Sequence, residues 1–203
     1  MTRKFVEPKI VVATHNPGKL IEIQDLLRPF GVGAVSAGEL GLDEPEETED
    51  TFAGNARIKA NAATKATGLP ALADDSGIEV DALAGAPGVY TADWAETPTG
   101  RDFHMAMTKL WEILQRTKAD PPWRARFCST LCIAWPDGHS EIFEGHVAGQ
   151  VVWPMRGGRG FGFDPVFQPD GETLTFGEMH PVKKQSMSHR TRAFDNMVQA
   201  CFD

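Results

Sequence analysis

The chain has 203 residues, and its 28 acidic and 20 basic residues give a formal net charge of −8 at pH 7. A protein that neutralises the phosphates of DNA or RNA needs a basic face, so this balance argues against a general nucleic-acid binder. The three cysteines are too few for a disulfide framework, and no apolar run has the form of a signal peptide or membrane span. We therefore expect a single cytoplasmic domain over residues 1–203, with no membrane partner.

The N-terminal segment predicts a strand, a tight turn and a helix. The β-branched run KIVVAT ends at residue 14, and apolar residues recur with helical spacing from Leu20 onward. Asn16 is a favourable helix cap, and Pro17 suits the first helical position. Lys19 in the first turn opposes the helix dipole, which suggests that an anion binds there. A plain turn with an exposed lysine is the slightly favoured alternative when these residues are taken alone.

Acidic residues flank a second, alanine-rich helix that begins near Asp50 or Thr51 and ends at Gly68. Residues 43–51 predict an acidic loop, and residues 71–83 predict a strand, a turn at Asp74–Gly77 and a second strand. Mg²⁺ prefers carboxylate oxygens, so these two acidic segments are candidate metal ligands. A solvated loop and an Asx turn are the alternatives.

On the second helix, Asn55 and Lys59 share one face and have side chains suited to phosphate oxygens, although the pair alone decides nothing. An amphipathic helix over residues 101–118 follows, then strands around 124–135 and 140–148 joined by a hairpin turn, and a last helix from about Ser188. This alternation predicts a mixed-sheet α/β fold.

The C-terminal third carries residues suited to a nucleotide base. Phe161 and Phe163 lie between glycines and can stack on a base, Asp164 can accept a hydrogen bond from a ring N–H, and Arg190 can donate to a carbonyl oxygen. Such a donor discriminates a 6-oxopurine from adenine, because adenine presents an amino group at that position. Taken singly, the two phenylalanines are more often core residues, and His189 is more often a helix cap.

In their order along the chain, five segments together resemble the inosine triphosphate pyrophosphatase family. They are ATHNPGKLIEIQDLL, EETEDTFAGNARIKANAA, PALADDSGIEVDALAGAPGVYTADWA, GFGFDPVFQPDG and TFGEMHPVKKQSMSHRTRAF, which span residues 13 to 194. The resemblance implies an α/β fold with a long mixed β-sheet flanked by helices, and two lobes with an active-site cleft between them. It also implies a homodimer, Mg²⁺ as cofactor, and hydrolysis of ITP, dITP and XTP to the monophosphate and pyrophosphate.

The resemblance further implies roles for single residues. Asp75 is the expected base for the attacking water, and Glu46 and Asp75 are the expected metal ligands. Phe163 and Gln185 depart from the family pattern and leave the fine base selectivity open. The expected substrate contacts are Thr14, His15, Asn16, Pro17, Gly18, Lys19, Lys59, Ser76, Phe161, Gly162, Phe163, Asp164, Lys184, His189 and Arg190.

Two other functions remain as alternatives. One is a pyrophosphatase with a different base specificity. The other is a nucleotide-binding sensor without catalysis, although a sensor needs no water-activating carboxylate such as Asp75.

Overall fold

The computed structural model describes residues 2–202, and the following elements lie within that range. The strands are β1 (Lys9–Val12), β2 (Gly33–Ser36), β3 (Ala71–Val80), β4 (Glu96–Thr97), β5 (Gly100–Arg101), β6 (Trp123–Ala134), β7 (Ser140–Val151) and β8 (Phe167–Pro169). The α-helices are α1 (Pro17–Leu27), α2 (Phe52–Thr67), α3 (Phe103–Arg116), α4 (Pro181–Gln185) and α5 (His189–Cys201).

The main sheet is mixed and has the strand order β2-β1-β3-β6-β7-β8. Strand β1 pairs in parallel with β2 and with β3, whereas β7 pairs antiparallel with β8. The predicted hairpin is confirmed, because β6 and β7 are neighbours joined by a short turn in which the Trp135 N–H donates to the His139 carbonyl at 2.9 Å. The predicted mixed α/β fold is therefore confirmed.

Several element boundaries follow the local signals in the sequence. The Asn16 side chain caps α1 by accepting hydrogen bonds from two first-turn N–H groups, at 2.9 and 3.1 Å. Thr51 caps α2 in the same manner, and that helix ends at Gly68, whose φ of +67° is a left-handed conformation that glycine adopts readily. The predicted start of α1 and the predicted limits of α2 are thus confirmed.

The turn predicted at Asp74–Gly77 was wrong, because β3 runs without interruption from Ala71 to Val80. A turn would have left both carboxylates in water, where unpaired aspartates are usually found. Here both are buried, and each forms an ion pair with a lysine from a different helix. Paired charges tolerate burial, so the strand continues through them.

The first of two compact units has a sheet with helices on both faces. Ile10 and Leu72 pack with side chains of α1 and α5, whereas Val11 and Ala73, which alternate with them, pack with the alanines of α2. This alternation decides which helix each side chain of β3 meets. The unit comprises Met1–Asp75, Ser129–Gly145 and Arg190–Asp203.

The second unit has its own core, in which Phe127, Phe167 and Phe176 pack with apolar residues of α3 such as Leu110. It comprises Ser76–Cys128 and His146–His189. The single domain over residues 1–203 stays a prediction. Within residues 2–202, none of the helices is both long enough and apolar enough to cross a membrane.

Candidate active site

Strand β3 directs two adjacent aspartates to opposite faces of the sheet in the first unit. Asp74 lies on the same face of the strand as Leu72 and contacts residues of α1 and α5. Asp75 lies on the same face as Ala73 and contacts α2. The two side chains therefore point to opposite sides of the sheet. Each aspartate therefore has its own set of partners.

Asp75 lies beside Lys59 of α2 and the acidic loop. The Lys59 Nζ donates to Asp75 Oδ1 at 2.8 Å and to Glu47 Oε1 at 2.9 Å. Burial raises the pKa of Asp75 above its usual value, although Lys59 and Lys19 oppose that shift. Burial also works against the charge of Lys59, but Asp75 and Glu47 outweigh it and raise the pKa of this lysine. A carboxylate with a raised pKa is a stronger base than an ordinary aspartate.

The second oxygen of Asp75 provides a test of whether a metal fits. Asp75 Oδ2 is buried and accepts no hydrogen bond from any residue between 2 and 202. In the same range, no group of three or more histidine, cysteine, aspartate or glutamate side chains is arranged to hold a metal. Mg²⁺ is commonly held by one or two carboxylates, with substrate phosphates and water as the other ligands. Asp75 with one glutamate of the acidic loop fits that ligand set.

Glu46 and Glu47, the two glutamates of the acidic loop that are candidate metal ligands, differ in their contacts. Both residues are exposed, but the Glu47 carboxylate contacts the same lysine as Asp75. Glu46, the residue expected from the family resemblance, is not among the ion pairs of the described chain. The structure thus brings Glu47 next to Asp75 through Lys59.

Asp74 is the centre of a second set of contacts in the same unit. Its Oδ2 accepts from Lys19 Nζ at 2.8 Å and from Arg190 Nη2 at 3.1 Å, and its Oδ1 accepts from Ser129 Oγ at 2.5 Å. Burial would raise the pKa of Asp74, but Arg190 and Lys19 outweigh it and hold that pKa well below its usual value. Arg190 also pairs with Glu22 of α1. The two sets together, Lys19, Glu22, Glu47, Lys59, Asp74, Asp75, Ser129 and Arg190, are called the charge cluster below.

The turn before α1 is ordered by its own side chains. The Asn16 N–H donates to Thr14 Oγ1 at 3.1 Å, while the Asn16 side chain caps the backbone N–H groups of Gly18 and Lys19. The exposed His15 ring lies 2.8 Å from the Leu42 carbonyl. Pro17 has no N–H to offer. Lys19, at the start of α1, supplies a full positive charge next to this turn.

The second unit holds a different set of expected site residues. Lys184 Nζ donates to Asp164 Oδ2 at 2.7 Å and lies 4.5 Å from the centre of the Phe161 ring. The same carboxylate oxygen accepts from the Phe161 N–H at 2.8 Å. At Gly160, whose φ is +73°, a Cβ would lie 2.0 Å from Asp164 Oδ2, so only glycine allows this approach. The glycine-rich loop thus folds around one buried ion pair.

Aromatic rings surround that ion pair and the start of α5. The His189 ring stacks on Phe127 with 4.9 Å between ring centroids, and Lys184 Nζ lies 5.7 Å from the Phe176 ring centre. We call Phe127, Phe161, Asp164, Phe176, Lys184 and His189 the aromatic cluster.

The remaining expected residues of the second unit differ in exposure. Ser76 and Gly162 are half-buried. The Phe163 ring is 1% exposed and packs edge-on against Phe103 in the core, with 6.1 Å between ring centroids. Stacking on a base stays a prediction for Phe161, whereas Phe163 is placed as a core residue.

Sequence reasoning did not assign roles to several residues that the structure brings into these clusters. Glu22 lies three residues after Lys19 on α1, a spacing that shares a helix face and could have revealed it. Ser129 lies in an apolar strand and offered no signal of its contact with Asp74. Phe127 and Phe176 offered only the ordinary pattern of core residues.

The fold is that of an α/β protein with two buried aspartates on one strand of a mixed sheet. The chain belongs to the Ham1 family, whose sequence profile matches residues 10–200. It is 59% identical over 202 residues to the dITP/XTP pyrophosphatase of Ruegeria pomeroyi, across 100% of this chain and 99% of that protein. It is 56% identical to the dITP/XTP pyrophosphatase of Agrobacterium fabrum, across 99% of both.

Solved structures agree with this assignment. The structure of a HAM1 protein from Coxiella burnetii superposes with a TM-score of 0.86 at 34% identity, and the match covers 95% of this chain and 98% of that one. The family resemblance found in the sequence is therefore confirmed.

Proposed function

We propose that this protein is a magnesium-dependent pyrophosphatase that hydrolyses dITP, ITP and XTP to the monophosphate and pyrophosphate. The proposal rests on the environment of Asp75. This carboxylate is buried, has a raised pKa and accepts a hydrogen bond from Lys59, and its other oxygen has no hydrogen-bond partner in the described chain. The protein's relatives with the name dITP/XTP pyrophosphatase support this choice of substrates.

In the proposed reaction, Asp75 accepts a proton from the water that attacks the α-phosphorus. The new bond joins the water oxygen to that phosphorus, and the bond to the bridging oxygen breaks, so that its electron pair leaves with pyrophosphate. Lys19 and Lys59 bind phosphate oxygens and stabilise the charge on the leaving group. Bound Mg²⁺, held by Asp75 and a glutamate of the acidic loop, would supply further neutralisation of the phosphate oxygens.

We assign base recognition to the aromatic cluster, and the family resemblance also assigns Arg190 to nucleotide recognition. Phe161 offers a half-buried ring for stacking, and His189 and Arg190 are nitrogen donors suited to the 6-oxo group of hypoxanthine or xanthine. Asp164 already accepts from Lys184 and from the Phe161 N–H, so it also orders the loop that carries the stacking ring.

The test is pyrophosphate release from ITP, dITP, XTP, ATP and GTP, with magnesium and with excess chelator. Magnesium-dependent release that is much faster for ITP, dITP and XTP supports the proposal. Equal rates across the panel would keep the pyrophosphatase and remove the base assignment. Binding without any release would indicate a sensor instead.

The family resemblance also carries the proposal of a cytoplasmic homodimer. Light scattering coupled to size-exclusion chromatography measures the assembly, and a mass near 22.2 kDa would contradict the dimer because that is the mass of one chain.

A further inference from the structure

Asp74 connects two residues for which different tasks are proposed. Lys19, on α1, is assigned to the phosphates, and Arg190, on α5, is assigned to the base. Both donate to the same atom, Asp74 Oδ2, at 2.8 and 3.1 Å. The other oxygen is held by Ser129 Oγ at 2.5 Å, which fixes the plane of the carboxylate.

The contacts of Asp74 differ from those of Asp75 in a way that separates their roles. Both oxygens of Asp74 accept hydrogen bonds, and its side chain is 0% exposed, so it has neither the access nor the open oxygen that a metal or water requires. Asp75 keeps one oxygen without a partner in the described chain. Asp74 therefore acts through the cations that it holds.

We propose that Asp74 is a positioning residue that orients Lys19 and Arg190 together, so that phosphate binding and base selection depend on one carboxylate. This inference rests on the proposed function. Without the carboxylate, the side chain of Lys19, which is 15% exposed, can turn toward water. Arg190, which is 1% exposed, keeps Glu22 as its ion-pair partner and shifts toward it.

The first experiment compares Asp74→Asn with the wild type by titration calorimetry in magnesium, with pyrophosphate, IMP and AMP as ligands. The amide has nearly the shape of the carboxylate but no charge for the two cations. We expect pyrophosphate to bind at least about tenfold more weakly and the preference for IMP over AMP to fall by a similar factor. A loss in only one of these two affinities would overturn the proposal, as would wild-type values for both.

Single variants of the two cations separate the effects. Lys19→Met should weaken pyrophosphate binding and leave the IMP preference unchanged, whereas Arg190→Lys should do the reverse. Asp170→Asn removes the exposed bidentate partner of Arg124 and should leave both affinities within about twofold of wild type.

A second variant covers the case in which Asp74→Asn does not fold. Ser129→Ala removes only the neutral hydrogen bond that orients the carboxylate and should weaken both affinities by a smaller factor. Steady-state kinetics on ITP should then show a larger rise in KM than fall in kcat, which a general loss of structure would not produce. An unchanged KM would contradict the proposal.

The outcomes for this inference and for the proposed function are distinct. If the wild type releases no pyrophosphate from any nucleotide, the proposed function fails. The binding measurements still decide whether Asp74 links the two affinities, because they require no turnover.

Discussion

The charge cluster and the aromatic cluster each contain buried carboxylates, yet the partners of these carboxylates differ. Asp74 and Asp75 are held by lysine and arginine side chains and a serine, and one oxygen of Asp75 remains open in the described chain. Asp164 also pairs with a lysine, but phenylalanine rings enclose that pair. Full charges suit phosphate and metal chemistry, whereas rings and one fixed ion pair suit a flat base. Loss of the Asp75 carboxylate should therefore mainly reduce turnover, whereas variants of the aromatic cluster should mainly change binding.

The largest effect is expected for Asp75→Asn. The amide keeps the shape of the side chain but cannot accept the proton of the attacking water, so kcat for ITP should fall on the order of 10²–10⁴-fold. Circular dichroism should show an intact fold, and a rate near that of the wild type would remove Asp75 from the role of base.

Lys184→Met tests the aromatic cluster. The change removes the Lys184 charge from the buried Asp164 and loosens the loop that carries Phe161, so KM for ITP should rise about tenfold while kcat changes by less than about threefold. Steady-state kinetics measures both constants.

The neighbouring lysine supplies the matched control for that variant. Lys183 pairs with Glu172 at the surface, where its side chain is 46% exposed, so Lys183→Met should alter neither constant by more than about twofold. A fall in kcat for Lys184→Met equal to the rise in KM would contradict the division between the clusters.

Glu46→Gln and Glu47→Gln sharpen the assignment of the metal ligands. Because the Glu47 carboxylate lies beside Lys59 and Asp75, its loss should raise the magnesium concentration for half-maximal activity about tenfold, and loss of Glu46 should change it little. Calorimetric titration of magnesium checks the same ranking without turnover. The opposite ranking would return the metal to Glu46.

The smallest effect concerns stability at low pH. The pKa of Asp74 is depressed in the folded protein, so its stabilising contribution is present above the unfolded pKa of about 3.9 and is lost as pH falls through the folded pKa. The difference in melting temperature between the wild type and Asp74→Asn should therefore shrink below about pH 4. A difference that stays constant down to pH 2 would contradict this account.

Local signals in the sequence predicted the helix caps at Asn16 and Thr51 and the turn before β7, because each depends on a few neighbouring residues. The continuity of β3 could not be predicted in that way. The cations that neutralise Asp74 lie 55 residues away at Lys19 and 116 residues away at Arg190. Contacts at such distances along the chain exist only once the sheet has formed.

In the candidate site as well, local sequence patterns proposed residues, whereas contacts between distant residues could not be predicted. The family pattern proposed its members, and Glu46 as a metal ligand stays a prediction. The contact of the neighbouring Glu47 with Lys59, in a loop without regular structure, could not be predicted from the sequence. The family pattern also grouped Phe163 with Phe161. Their different burial depends on packing against Phe103, which the sequence does not reveal.

The central claim, attack of water on the α-phosphorus, is tested most directly by hydrolysis of ITP by the wild type in ¹⁸O-labelled water. Mass spectrometry then measures the label in each product. Attack at the α-phosphorus, with Asp75 as base, predicts one labelled oxygen in IMP and none in pyrophosphate. Label in pyrophosphate would place the attack on the β-phosphorus and contradict the account.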